Sequence, residues 1–204
     1  RTVAEQFYRA GEVLGENYDY SYFDYGTMTP HVNHIPLQQD AAGGHGYVLY
    51  SAYRKFGDER YLEGAKQAIR ALDNQKESRF YEILLPLGIY TAARLNAEEG
   101  TDYDTEKMIN WVFDGVTDPK GRYGWGIIQD RWGPYDVSGL QGSITDGGGY
   151  AFFMNSVKMV WPLLPMVKYE PQYARAIGKW MNNNVSACRL FYPDEIPAIY
   201  QWLP

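Results

Sequence analysis

Three times along this chain of 204 residues, a stretch that is apolar nearly all round is followed, after a short break, by an amphipathic one. An apolar stripe of period 3.6 must be buried against a neighbour, so the pattern dictates antiparallel helical hairpins and an all-α fold. The hairpins are predicted at about 41–73, 82–115 and 150–189, within one domain spanning 1–204. In the first, Leu49, Ala52, Tyr53 and Phe56 form one stripe and Gly57-Asp58 breaks it. Tyr61, Leu62, Ala65, Ala68, Ile69 and Leu72 then form another, with Asp58 as the expected N-cap. The second opens with EILLPLGIYTAARL, where Pro86 is predicted in the first turn or at a kink, and continues from Asp104, another expected cap. The third pairs YAFFMNSVKMVW with a helix starting at Pro171, whose inner stripe is expected to be Ala174, Ile177, Met181, Val185 and Cys188. A further helix is predicted over 2–14, while residues 15–40, rich in tyrosine, and the tail LFYPDEIPAIYQWLP read as loop. Period-two alternation is almost absent, so strands are not expected.

Composition excludes several classes. The net charge of −6 gives no basic footprint for nucleic acid. No apolar run reaches the roughly 18 residues of a membrane span. A single cysteine, Cys188, rules out an internal disulfide framework and a cysteine-based metal site. The chain opens on Arg1 without a methionine, which points to a trimmed chain or a piece of a longer one.

Between the second and third hairpins lies a connection of about 116–149, too long to be an ordinary link and too aromatic for disorder. It carries Tyr123, Trp125, Trp132 and Tyr135 with Arg122, Arg131, Asp136 and Asp146 among many glycines. Rings stack on the apolar faces of pyranoses and charged groups bond their hydroxyls, so this segment is the expected sugar site.

The segment GGHGYVLYSAYRKFGDERYLEGAKQAIRALD has a glycine-led first helix and a KFGDERYLEGAKQAI turn opening the second. It resembles the hairpins of (α/α)6 toroids, the architecture of six-hairpin glycosidases and toroidal polysaccharide lyases. The likeness is best over 41–73 and looser through 189. It implies inner helices lining a central cleft, with sugar-binding aromatics and catalytic groups on the loops before them. No particular family's catalytic signature is present. A full toroid has about twelve helices against seven predicted here, so the chain corresponds either to about half of one or to a smaller array of α-hairpins. An incomplete toroid is expected to leave an apolar edge that further residues or subunits would cover.

Each candidate residue has a functional and a structural meaning. Asp146, before Gly147-Gly148-Gly149, is the first choice for a catalytic acid, and equally a helix cap. Asp136, between Tyr135 and Val137, is a possible partner carboxylate or a turn residue bonding its own backbone. Glu82 lies in apolar surroundings that suit a general acid, or at a helix start that suits a glutamate. His45 falls on a buried stripe among glycines, as a base, a sugar contact or a core residue. Trp125, Trp132, Tyr123 and Tyr135 are sugar platforms or plugs of the loop. Arg122 and Arg131 are uronate clamps or ion-pair partners. His31 and His34 lack a third ligand, and the aspartates lack EF-hand spacing, so no metal or other cofactor is expected. Asn184-Val185-Ser186 matches a glycosylation acceptor but falls in a predicted helix.

The leading expectation is a glycoside hydrolase working through a carboxylate pair drawn from Asp136, Asp146 and Glu82, with an oligo- or polysaccharide as its partner. A glycan substrate would favour a secreted or periplasmic location. The alternative enzyme is a polysaccharide lyase using His45, Tyr135, Arg122, Arg131 and Asn155 on a uronate glycan. The third alternative is a non-catalytic carbohydrate-binding or interaction scaffold.

Overall fold

The apolar stripes fold into seven α-helices among the described residues. These are α1 Thr2–Leu14, α2 Ala41–Phe56, α3 Glu59–Asp73, α4 Leu84–Glu99, α5 Thr105–Asp114, α6 Phe153–Met166 and α7 Ala174–Cys188. The computed structural model describes residues 1–114, 125–129, 131–132, 134–143, 151–192, 194–195 and 197–200. Helix ends follow local chemistry. The Asp58 carboxylate accepts from Arg60 N at 3.1 Å and that of Asp104 from Lys107 N at 2.9 Å, each satisfying a donor that the first turn leaves free. Gly57 ends α2 in the left-handed region, φ 69°, where a side chain would be strained. Pro86 lies in the first turn of α4, and Pro171 opens a short 3-10 turn, Pro171–Tyr173, ahead of α7.

The predicted stripe of α3 is buried in full. α2 packs on both α3 and α4, α4 on α5 and α6, and α6 on α7, while α1 lies over α2 and α3. The first helices of the three hairpins therefore stand in a row, α2–α4–α6. Their direction follows from bonds at both ends. At one end Tyr81 N, just before α4, donates to Asp40, just before α2. Tyr81 O in turn accepts from Gln141 Nε2, and Gln141 N donates to Ser156 Oγ in the first turn of α6. At the other end Glu98, in the last turn of α4, accepts from Tyr50 and Arg54 of α2 and from Tyr169, just past α6. All three helices begin together and run parallel. α2 and α4 approach so closely that a Cβ on Gly43 would stand 2.3 Å from Leu84 O and 2.9 Å from Gly88 Cα. Only glycine allows that crossing. α4, touched from several sides, buries Leu85 through Ile89 and Thr91 through Ala93.

Two expectations need correction. Short strands do occur: β1 Tyr22–Asp24 pairs with β2 Thr29–His31, β3 Trp125–Ile127 with β6 Gln141–Ser143, and β4 Arg131–Trp132 with β5 Tyr135–Asp136; β6 also pairs with β7 Ala151–Phe152. Strands of two or three residues are too short for alternation to register. The inner stripe of α7 is rotated from the expected one. Ile177, Trp180, Asn184 and Ala187 face inward, Ala174 is exposed, and Val185 is 70% exposed. The polar residues turn inward because they have partners there. Trp180 Nε1 donates to Gly139 O at 2.8 Å and Asn184 Nδ2 to Ser156 O at 3.0 Å, which offsets the cost of burying them. Asn184, 3% exposed, is thus a packing residue. α6 leaves Met154, Val157, Trp161 and Leu164 exposed, at a spacing that puts them on one helix face. No helix among the described residues is long and apolar enough to cross a membrane.

Candidate functional site

The end at which α2 and α4 begin carries an open cleft of about 370 Å³. That is within the size range of small-ligand sites, about 300–1,000 Å³. Its walls come from elements far apart in the chain. α1 contributes Phe7; the segment before α2 contributes Tyr20, Phe23 and Tyr25; α2 contributes His45 and Tyr47; Leu84 and Leu87 of α4 close the far side. The β1–β2 hairpin presents Phe23, whose ring stands 5.0 Å from that of Tyr25 and 6.1 Å from that of Tyr20.

His45 forms part of the lining but is only 3% exposed. Its ring lies 4.8 Å from Phe7 and edge-on to Tyr18 at 5.3 Å, and Nε2 shares a 3.3 Å hydrogen bond with the Tyr25 hydroxyl. Nδ1 is buried without a hydrogen-bond partner. Burial in this apolar setting pushes the imidazole down to about 4, so it is neutral near pH 7. Burial also pushes the Tyr25 phenol up to about 12 and those of Tyr18 and Tyr20 further still. Among the described residues no charged side chain lines the cleft. Chemically it is an uncharged aromatic slot with Ser21 and Gln38 as polar contacts and a neutral Tyr25–His45 pair at its floor.

The predicted site residues fall in different places. His45 lies in the cleft. Glu82 is half-buried just before α4, two positions from the wall residue Leu84. Trp125 is 3% exposed, with its ring edge-on to Tyr81 at 5.1 Å and 6.3 Å from Phe152, so it anchors β3 to the core. Tyr135 packs on a small satellite cluster of Val137, Leu140, Ala187 and Leu190. Asp136 is exposed and accepts from Ser138 N at 3.0 Å, a turn bond that lowers its carboxyl below the usual range. Arg131 Nη2 donates to Pro134 O, and the strand register sets Trp132 opposite Tyr135. None of these loop residues lines the cleft. Asn155 is buried at the start of α6. Asp146, Arg122, Tyr123 and the ring of Trp132 lie outside the described residues. His31 stacks on Tyr22 at 5.0 Å and bonds Thr29, and no group of three His, Cys, Asp or Glu stands together among the described residues.

Sequence reasoning missed Phe7, Tyr20, Phe23, Tyr25 and Tyr47. A signal was present: four tyrosines and a phenylalanine within residues 18–25, shortly before a glycine-led helix. It also missed the buried lattice Asp40–Tyr81–Gln141–Ser156, which holds the three helix starts in register. No protein family, curated protein or solved structure matches the chain.

Proposed function

We propose that the protein is a carbohydrate-active enzyme, a glycoside hydrolase built on part of an (α/α)6 toroid, which holds its glycan in the aromatic cleft. One observation carries this reading: an open slot of about 370 Å³, uncharged among the described residues and walled by five aromatic rings, stands where α2 and α4 begin. Ring faces match the apolar faces of pyranoses. Ser21, Gln38 and the tyrosine hydroxyls supply directional bonds to sugar hydroxyls. Hydrolysis needs one protonated and one ionised carboxyl flanking the bond. We assign these to two carboxylates outside the lining itself: Glu82, two positions before the wall residue Leu84, and Asp146, on the segment that leads into α6. Asp136, already engaged by Ser138, is the less suited third.

The Tyr25–His45 pair gives a second reading some support, because phenol and imidazole are the groups that remove a proton alpha to a uronate carboxylate. Elimination also needs a group to neutralise that carboxylate. Among the described residues the cleft offers no arginine, lysine or asparagine for the task.

The test incubates the protein with neutral and uronate polysaccharides and follows reducing ends together with the ultraviolet absorbance of an unsaturated uronate. New reducing ends without absorbance are expected, and Glu82→Gln and Asp146→Asn should each lower the rate about 100-fold or more. Both signals together would replace hydrolysis by elimination. Silence in both, with glycan binding retained, would leave a binding module.

A further inference from the structure

Aromatic rings do not stop at the cleft. Tyr47 lines it and also stands edge-on to Trp161 of α6, at 5.4 Å and 73°, and 6.5 Å from Tyr90 of α4. Tyr90 lies 6.2 Å from Tyr169. Each of Tyr47, Tyr90 and Trp161 sits about two turns into its helix. Since the three helices are parallel and begin together, their rings meet at one level across the row. Trp161 reaches that meeting point while remaining 59% exposed. A large apolar ring left in solvent beside other rings is a mark of a recognition surface.

The arginines beside these rings are already matched. Arg94 lies over the Tyr90 ring at 5.5 Å and bridges Glu98 at 3.2 Å, and Arg54 bridges the same carboxylate at 2.8 Å. Both guanidiniums are committed to Glu98, so among the described residues neither arginine beside the rings is spare to pair a uronate.

We infer that Tyr47, Tyr90 and Trp161 form an extension of the cleft that holds further units of a neutral glycan chain. The inference rests on the carbohydrate reading above and deepens it: the ligand is neutral, and it is longer than the cleft alone accommodates. Tyr47 makes the surface continuous, since one ring belongs to both parts.

Calorimetric titration with cello-, xylo- and malto-oligosaccharides from dimer to hexamer tests this, using wild type, Trp161→Ala, Tyr90→Ala and, in the cleft, Phe23→Ala. Wild-type affinity for at least one series is expected to rise with length. Trp161→Ala should cost hexamer affinity about 5- to 10-fold, the size of one lost ring contact, and cost dimer affinity less. Phe23→Ala should weaken every length. Trp161 is exposed, so an unchanged melting curve for its variant is expected and separates lost contact from lost fold. If no oligosaccharide binds wild type, the carbohydrate reading falls and this inference with it. If oligosaccharides bind but the length dependence survives in Trp161→Ala, the extension alone is overturned. Preference for oligogalacturonides over all neutral series overturns the neutral class. A doubled mass by light scattering that Trp161→Ala returns to monomer would make this face a contact between copies, and overturns the extension.

Discussion

Replacing Gly43 by alanine is expected to destabilise the protein even though alanine is the better helix former. A Cβ there would stand 2.3 Å from Leu84 O and 2.9 Å from Gly88 Cα. Carbon and carbonyl oxygen come no closer than about 3.3 Å even in their weak hydrogen bonds, so α2 and α4 must part by about 1 Å. The obstructing atoms are backbone, in a helix buried on several sides, and cannot swing aside. A gap of that size forfeits roughly a quarter to a half of the dispersion between facing atoms. Overpacking of this kind costs about 1–3 kcal/mol, while the gain in helix propensity returns about 0.5–1 kcal/mol. The net loss is about 1 kcal/mol. Gly178 in α7 supplies the control: it is exposed, nothing lies within 4 Å of its added Cβ, and alanine there should stabilise by about 0.5–1 kcal/mol. In a chain of 204 residues each kcal/mol moves the melting temperature by about 2–4 °C. Gly43→Ala should therefore melt about 2–4 °C below wild type and Gly178→Ala about 1–4 °C above it. Circular dichroism melts of the three proteins decide the matter. A Gly43→Ala protein as stable as wild type, or two shifts of the same sign, would refute the argument from close approach.

Three further predictions concern charge and buried polar bonds. Because burial holds His45 near 4 against about 6.5 unfolded, the unfolded chain takes up its proton first as the pH falls. The stability linked to neutral His45 is complete above about pH 6.5, is lost towards pH 4, and amounts to about 3 kcal/mol at most. An imidazole signal for His45 titrating near 6.5 by NMR would contradict this. Burial pushes the Glu98 carboxyl up, but hydrogen bonds from Tyr50, Arg94 and Tyr169 outweigh it and hold it at about 2. The stability it contributes is present above the unfolded value of 4.5 and is lost as the pH falls to about 2. Glu98→Gln should thus lose roughly 1–3 kcal/mol at pH 7 by urea unfolding and show a flatter acid dependence in that window. An unchanged midpoint would mean the bonds to Glu98 contribute nothing net. Trp180→Phe keeps the ring but removes the donor to Gly139 O, and should cost about 1 kcal/mol with faster amide exchange at Gly139 and Leu140. Unaltered exchange there would separate the indole from the order of the β3–β6 segment.

What could be read from the chain was what is local. The α3 stripe and the Asp58 and Asp104 caps are settled within a few residues of themselves, and the structure has them as expected. His45 was legible for the same reason, being four residues from Leu49 on a buried face. Its partner was not, because Tyr25 lies 20 positions away in a tyrosine-rich segment with no periodicity to say which ring turns towards α2. The face of α7 failed in the same manner. An apolar count turns Val185 inward, whereas Trp180 and Asn184 are drawn in by carbonyls 41 and 28 positions distant. Composition marks out the aromatic loop, but it does not distinguish a ring that binds a ligand from one that anchors its own strand, as Trp125 does against Tyr81. The cleft depends on the least legible part of all. Asp40, Tyr81, Gln141 and Ser156 have no pattern among themselves, yet their bonds bring three helix starts to one level. That common level is what allows Tyr47, Tyr90 and Trp161, each unremarked in its own helix, to face one another.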